Sequence, residues 1–270
     1  MVESRKPSKP PVQPASDPNF MLSLARGLGV IRAFENSESA LSVAEVARRS
    51  GISRAAARRC LHTLACLDYV VGAGGKFELA PKVLTLGYAY LGSARVSRAA
   101  QPVLERVSER LQESCSMSVM DGNEIVYVAR ASSRRIISIS LSIGSRLPAY
   151  CTSMGRILLA FGGDERLKHY LSAVKLVAHT PHTITKRADL VEELQRIRSN
   201  GYALIDQELE IGLRSIAVPV RRSSDASVVA AINVGVQATR VDCKTMVSNY
   251  VPVLQRAASE IGLAVGHAID

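Results

Sequence analysis

The first regular pattern along the chain begins at Leu22. From there to Phe34, apolar residues recur at Leu24, Leu28, Ile31 and Phe34, the three-to-four spacing that gathers side chains on one helical face. Ser42-Val-Ala-Glu45 then opens a second helix with a capping box, in which the Ser42 hydroxyl accepts from a first-turn amide and Glu45 reaches back. That helix runs to about Ser50 and Gly51 breaks it. Ser53 offers a fresh N-cap for a third helix from Arg54 to Leu67, with Ala57, Leu61 and Leu64 on its buried side. Two short helices about a tight glycine-containing turn make a helix-turn-helix. At about 100° per residue, Ala55, Arg59, His62 and Cys66 fall opposite the apolar stripe, and Arg54 and Arg58 on one shoulder.

The period then changes from helical to extended. Asp68-Tyr-Val-Val71 and Lys76-Phe-Glu-Leu79 read as two short strands joined by Gly72-Ala-Gly-Gly75. A hairpin directly after a helix-turn-helix is the wing of a winged helix, with Lys76 at its tip. The same glycines lack the spacing of a dinucleotide fingerprint, and Val70 stands where a phosphate loop needs glycine. Pro81 to Gly92 is apolar and helix-compatible, with Leu84, Tyr88 and Leu91 on one face. It reads as a linker helix, either packed on the wing or pairing subunits.

Beyond it, Val103, Val107 and Leu111 mark a helix from Ala99 to Ser114, and Ser116–Met120 and Glu124–Ala129 form a hairpin about Asp121-Gly-Asn123. Ile137, Ile139, Leu141 and Ile143 alternate with Ser138, Ser140 and Ser142. Such a strand either lines a small-molecule cavity or lies half exposed at a sheet face. In Leu147–Arg156, Thr152 or Ser153 can cap a helix through Ile157–Ala160, and a helix start with small residues and free amides suits a carboxylate. A helix over Lys186–Ser199 ends at Asn200-Gly201, strands follow at Tyr202–Asp206, Arg214–Arg221 and Val228–Val236, and a last helix spans about Cys243–Gly262. The fold class is α+β, with helices flanking a largely antiparallel sheet in the second half.

Composition narrows the function. Of 270 residues, 47% are hydrophobic and 21% charged, so the chain can bury a core. Lys and Arg number 34 against 24 Asp and Glu, a net charge of +10. Residues 1–92 hold half of that excess in a third of the length, and Arg48, Arg49, Arg54, Arg58 and Arg59 face a single Glu45 between Ser42 and Leu64. A local basic surface suits phosphate backbones, although a solvated helix face carries charge equally well. Five prolines in residues 1–19, with few apolar neighbours, predict a flexible tail. No apolar run approaches the roughly 20 residues that span a bilayer, and the N-terminus lacks a signal core, so a cytoplasmic protein is expected. Five scattered cysteines without a C-x-x-C pair predict reduced thiols.

Enzyme chemistry finds little support. There is no G-x-S-x-G elbow and no H-E-x-x-H, and the five histidines are dispersed. His179-Thr-Pro-His182 resembles half a metal site, but its proline argues for a loop, and neither metal nor cofactor is expected. Asp206, Glu208 and Glu210 read as loop acids or a polar pocket wall, because no activated nucleophile lies near them in sequence.

The segments SLARGLGVIRAF, LSVAEVARRSGISRAAARRCLHTLACLDYV, LPAYCTSMGRILLA and GYALIDQELEIGLRSIAVPV, in this order, resemble the IclR family of bacterial transcriptional regulators from about Phe20 to the end. FMLSLARGL and APKVLTLGYAYL are similar to the PcaR, PcaU and PobR subgroup, which regulates aromatic catabolism through the β-ketoadipate pathway. The resemblance implies a winged helix-turn-helix over residues 20–80, a linker helix over 81–96 and a GAF-like effector-binding domain over 97–270. It also implies a homodimer or a tetramer built as a dimer of dimers. Contacts to an operator in duplex DNA are then expected from Arg54, Arg58, Arg59, His62 and Lys76, with Ser42, Ser53 and Ala55 beside them. A small carboxylate effector is expected at Tyr150, Thr152, Ser153, Met154 and Gly155, at Asp206 and Glu208, and at Ser215 and Asn233, with Arg134 or Arg135 adding charge. Many members carry Cys where this chain has Ser215. The subgroup implies protocatechuate, 4-hydroxybenzoate or β-ketoadipate as effector. The rival expectation is a carboxylate-binding enzyme with an incidental basic N-terminal domain.

Overall fold

The computed structural model describes residues 17–35, 37, 39–93, 95–133 and 141–266. Most of the expected tail, Arg134, Arg135 and the first part of the strand expected at Ile137–Ile143 lie outside the described residues. The chain divides into two compact units, residues 1–89 and 90–270.

In the first unit, capping sets the helix boundaries. Helix α1 (Leu22–Arg32) is followed by strand β1 (Leu41–Ser42) and helix α2 (Val43–Ser50). The capping box is complete: Glu45 N donates to Ser42 Oγ at 3.3 Å, and Ser42 N donates to Glu45 Oε2 at 2.8 Å. Gly51 closes α2 in the left-handed region, at φ 66°, which only glycine adopts without strain. Ser53 Oγ then accepts from Ala56 N at 3.2 Å and starts α3 (Arg54–Cys66). Strands β2 (Val70–Ala73) and β3 (Lys76–Leu79) form the wing, with Gly74 and Gly75 at positive φ in the turn between them. Strand β1, which the periodicity does not reveal, pairs Leu41 with Phe77 of β3.

Val30, Phe34, Leu41, Val46, Ala57, Leu61, Leu64 and Val70 fill this small core. The stripe expected on α1 is split: Phe34 is buried, whereas Leu24 and Leu28 are more than half exposed, because the core covers only the C-terminal end of the helix. After a turn of 3-10 helix at Pro81–Val83 comes α4 (Leu84–Ser93), whose Leu84 and Tyr88 are also exposed.

The boundary between the units falls within α4, and α5 (Arg95–Leu111) follows in the second, stopping three residues short of expectation because Gln112 turns to φ 56°. Strands β4 (Ser114–Asp121), β5 (Glu124–Ala131) and β6 (Arg146–Pro148) follow, then helices α6 (Ser153–Phe161), α7 (Asp164–Ala173) and α8 (Arg187–Asn200). Strands β7 (Ala203–Asp206), β8 (Leu213–Arg221) and β9 (Val228–Gln237) complete an antiparallel sheet of order β6-β5-β4-β9-β8-β7. The described end of the expected serine-alternating strand, Leu141–Ile143, is irregular and leads into a turn. The last helix is not uniform: α9 (Cys243–Thr245) passes through a π turn at Met246–Tyr250 into α10 (Val251–Gly266). Pro252, which has no amide hydrogen to give, stands just after that turn.

Alternation along the central strands decides the layers. Ile216, Val218, Val220, Ile232, Val234 and Val236 point to one face, which packs on α5 and α10. Ala217 and Ala231 point to the other, against α6, with α8 behind it. Helix α6 is buried on every side from Ser153 to Ala160. This is the GAF-like build, and on the α6 face the residues near the helix start are small or polar.

Candidate DNA interface and effector cavity

Helix α3 turns an uncommitted basic face outward. Arg54, Ala55, Arg58, Arg59 and His62 are exposed while Ala57, Leu61 and Leu64 are buried, as the helical spacing requires. No ion pair engages Arg54, Arg58 or Arg59 among the described residues. His62 Nε2 lies 3.7 Å from Cys66 Sγ, one turn on. Ser53 caps the helix and remains exposed, so its hydroxyl can still donate.

Three basic-domain expectations change on inspection. Ser42 donates its hydroxyl to Glu45 Oε2 at 2.6 Å while accepting from Glu45 N, so it is taken up in the cap rather than offered to a phosphate. These bonds hold the Glu45 carboxyl below the usual carboxylate range, with Lys76 and Arg49 adding to the effect. Lys76 is exposed but is not the wing tip. It opens β3 opposite Ser42 and Ala73, and Gly74 and Gly75 form the tip. Arg49 is withdrawn from the basic cluster, since its Nη1 donates to the carbonyls of Ala33 at 3.1 Å and Glu35 at 3.4 Å.

In the second unit, a cavity of about 50 Å³ lies between the sheet and the start of α6. Thr152, Ser153, Met154, Ser215 and Asn233 line it, as expected. Thr152 occupies the N-cap position of α6 but does not cap. Its Oγ1 donates to Pro148 O at 2.9 Å, which leaves the first-turn amides of the helix without a side-chain partner. Ser153, 1% exposed, has a hydroxyl with no hydrogen-bond partner among the described residues. The cavity is smaller than the roughly 150 Å³ that admits benzene in an apolar core, so a ring-sized ligand requires adaptable lining side chains such as Met154 to move aside.

Four expected effector residues are placed elsewhere. Tyr150 is buried, with its hydroxyl donating to Val177 O at 2.7 Å and its ring stacked on His179. Gly155 packs on the chain itself: a Cβ there would meet the Ala149 carbonyl oxygen at 2.2 Å. Asp206 accepts two bonds from Arg214, both 2.9 Å, which hold its carboxyl below the usual range. Glu208 is consumed by Arg156, whose Nη1 and Nη2 meet Oε1 and Oε2 at 2.8 and 2.5 Å while Nε donates to Tyr150 O at 2.7 Å. Arg156 is 1% exposed, and in so close a buried pair Glu208 neutralises the guanidinium, while its own oxygens are taken up and not offered to a ligand. Arg135 lies outside the described residues.

The structure adds lining residues beyond the expected effector contacts, among them Leu141 from the serine-alternating stretch that could line a cavity. Ser114, Ser116, Tyr127, Arg130, Leu141, Leu147, Cys151, Ile205, Leu209, Leu213 and Gly235 complete the wall. Burial pushes the Tyr127 hydroxyl and the Cys151 thiol each up to about 12, so both are neutral donors at neutral pH. Arg130 donates from Nη1 to Ser116 Oγ at 2.9 Å, its buried Nε has no partner among the described residues, and burial lowers its guanidinium below the usual value.

A winged helix-turn-helix with a free basic face, followed by a GAF-like domain with a polar cavity, defines a DNA-binding transcriptional regulator. Two family models match: the IclR helix-turn-helix domain over residues 23–73 and the bacterial transcriptional regulator IclR C-terminal domain over residues 88–263. The chain is 46% identical over 246 residues to the Pca regulon regulatory protein of Pseudomonas putida, covering 91% of this chain and 84% of that one. Among solved structures, a protein described as a transcriptional regulator from Rhodococcus sp. RHA1 superposes with a TM-score of 0.82 at 43% identity, covering 91% of this chain and 98% of that one. An IclR homologue from Microbacterium hydrocarbonoxydans, in complex with 4-hydroxybenzoate, superposes with a TM-score of 0.78 at 27% identity, covering 90% of this chain and 98% of that one. The chain belongs to the IclR family of transcriptional regulators, and it is a regulator rather than an enzyme.

Proposed function

We propose that this regulator controls genes of aromatic catabolism by binding duplex operator DNA through α3 and the wing, under control of a small carboxylate held in the cavity at the start of α6. The effector is an aromatic or dicarboxylic acid of the protocatechuate, 4-hydroxybenzoate or β-ketoadipate kind. The observation that carries this reading is the cavity itself, where a buried hydroxyl at Ser153 and the open amides of a helix start meet a wall of small and apolar residues. A relative that serves the Pca regulon and a homologue that binds 4-hydroxybenzoate support the class of ligand.

The working units are the DNA-binding domain over residues 20–80, a linker over 81–96 and the effector domain over 97–270, acting in the cytoplasm on DNA. Among the described residues no helix is long and apolar enough to cross a membrane. The protein acts as a homodimer or a dimer of dimers. The uncovered apolar side chains of α1 (Leu22, Leu24, Leu28) and of α4 (Leu84, Leu86, Tyr88) support self-association. A ligand biases the paired reading heads only through different affinities for their arrangements.

Thermal melts of the full chain against a panel of aromatic and aliphatic carboxylates test the effector reading. The matching acid at a hundredfold excess over its dissociation constant adds about 2.7 kcal/mol of stability. The chain has no tryptophan, so a dye or calorimetry reports the transition. Absence of stabilisation by every acid in the panel contradicts an effector role for the cavity.

A further inference from the structure

A guanidinium with no counter-ion among the described residues faces the cavity, and the sheet has been distorted to put it there. Strand β5 pairs regularly with β4 from Asp121–Glu124 to Ser118–Tyr127, then resumes at Met117–Ala129, which leaves Val128 as an extra residue. In unbroken alternation, Tyr127 and Arg130 would face opposite sides of the sheet. The bulge turns both toward the cavity, a use of β-bulges common beside binding sites. Register then sets Arg130, Ser116 and Asn233 side by side across β5, β4 and β9, all three in the cavity wall.

The charge state of that row is uneven. Among the described residues, one of the arginine's five N–H donors is used, by Ser116 Oγ, and the buried Nε has no partner. No carboxylate forms an ion pair with Arg130 among the described residues. The other arginines at the heart of this domain are treated differently: Arg156 has Glu208 and Arg214 has Asp206, each through two hydrogen bonds. Arg130 is partly buried, and a cation even partly withdrawn from water is costly unless something pairs with it. The second unpartnered buried group of the cavity, the Ser153 hydroxyl, belongs to the first residue of α6. Between these polar points, Leu141, Leu147 and Met154 offer apolar surface to the body of a ligand.

We infer that Arg130 is the charge anchor of the cavity: its guanidinium takes the carboxylate of the ligand as the missing counter-ion, and so selects acids over neutral compounds of the same shape. This rests on the reading of the cavity as the effector site. Ser153 serves a second polar group of the same ligand from the helix side, so that an occupied cavity ties β5 to the start of α6. Aromatic monocarboxylates and aliphatic dicarboxylates share the group that Arg130 recognises, and they differ in how they fill the apolar wall.

Calorimetric titration of the full chain tests the assignment, with 4-hydroxybenzoate, protocatechuate and adipate as probes and 4-hydroxybenzamide as the neutral control. Wild type binds at least one acid and discriminates against the amide. Arg130→Met, which keeps the stem and removes the charge, binds that acid at least tenfold more weakly, and its ligand-free melting temperature equals or exceeds that of wild type. Arg130→Lys keeps the charge without the planar fork and falls between the two. Should Arg130→Met fail to fold, loss of affinity in Arg130→Lys still decides the matter. Undiminished acid binding by the variants, or equal binding of acid and amide by wild type, overturns the anchor while leaving the effector site standing. No binding of any probe by wild type removes the effector reading itself. The preferred acid reports whether the wall accommodates a ring or an extended chain.

Discussion

Replacing Arg58 and Arg59 together with alanine is expected to weaken operator binding by about 2–6 kcal/mol, since each arginine that reaches a base edge or a phosphate contributes about 1–3 kcal/mol. Both side chains are exposed and carry no ion pair among the described residues, so their removal leaves the core of Ala57, Leu61 and Leu64 intact and melting unchanged. Gel shifts over a range of salt separate the two kinds of contact. Lost phosphate contacts lower the slope of log affinity against log salt by about 0.9 each, whereas lost base contacts weaken binding with little change of slope. Equal shifts for wild type and the double variant at every salt concentration would remove α3 from the interface.

The second large effect is expected far from the DNA. Glu208→Gln leaves Arg156 buried without its counter-charge, and breaking such a pair costs about 3–5 kcal/mol. For a domain of this size that lowers the melting temperature by roughly 6–20 °C. The effect spreads because Glu208 Oε2 also accepts from Ile184 N at 3.1 Å, and Arg156 Nε holds the carbonyl of Tyr150, two residues before the α6 N-cap. The double replacement Arg156→Met with Glu208→Leu removes both charges and recovers part of the loss. A Glu208→Gln protein that melts like wild type but binds its acid differently would return Glu208 to the role of ligand contact.

That pair also explains how far the sequence was readable. The helix-turn-helix was legible because its determinants are local: apolar residues at helical spacing, Ser42 with Glu45 three residues on, Gly51 at the turn and Ser53 at the next start. Asp206 and Glu208 read as loop acids or a polar pocket wall because nothing near them in sequence shows what they pair with. Their partners lie 8 residues away on β8 and 52 residues away on α6, beyond any local pattern. The fold gives one acid to each arginine and leaves neither for a ligand.

The cavity was legible in part. Thr152, Ser153 and Met154 follow from a helix start rich in small residues, and they do line it. Arg130 does not follow, because the strand expected over Glu124–Ala129 stops one residue before it and the bulge at Val128 breaks the alternation that places it. The sequence does carry one local signal of this wall. Ser114-Cys-Ser-Met-Ser118 alternates hydroxyls with Cys115 and Met117, the same two-faced pattern noticed in the serine-rich stretch after residue 136. Here Ser114 and Ser116 line the cavity, while Cys115 and Met117 enter the core against α5 and α10. Leu24 and Leu28 erred in the opposite sense: helical spacing identifies an apolar face, but only tertiary structure tells whether this chain covers it.

The central claim joins the two units: occupancy of the cavity changes the grip on DNA. The direct measurement is the affinity of the full chain for duplex DNA from upstream of its own gene, at fixed salt, titrated with the acid that stabilises it. A coupling of the usual size, about 1–3 kcal/mol, changes operator affinity by about 5–150-fold in one direction or the other as the cavity fills. Operator affinity that stays constant from empty to saturated cavity contradicts the account.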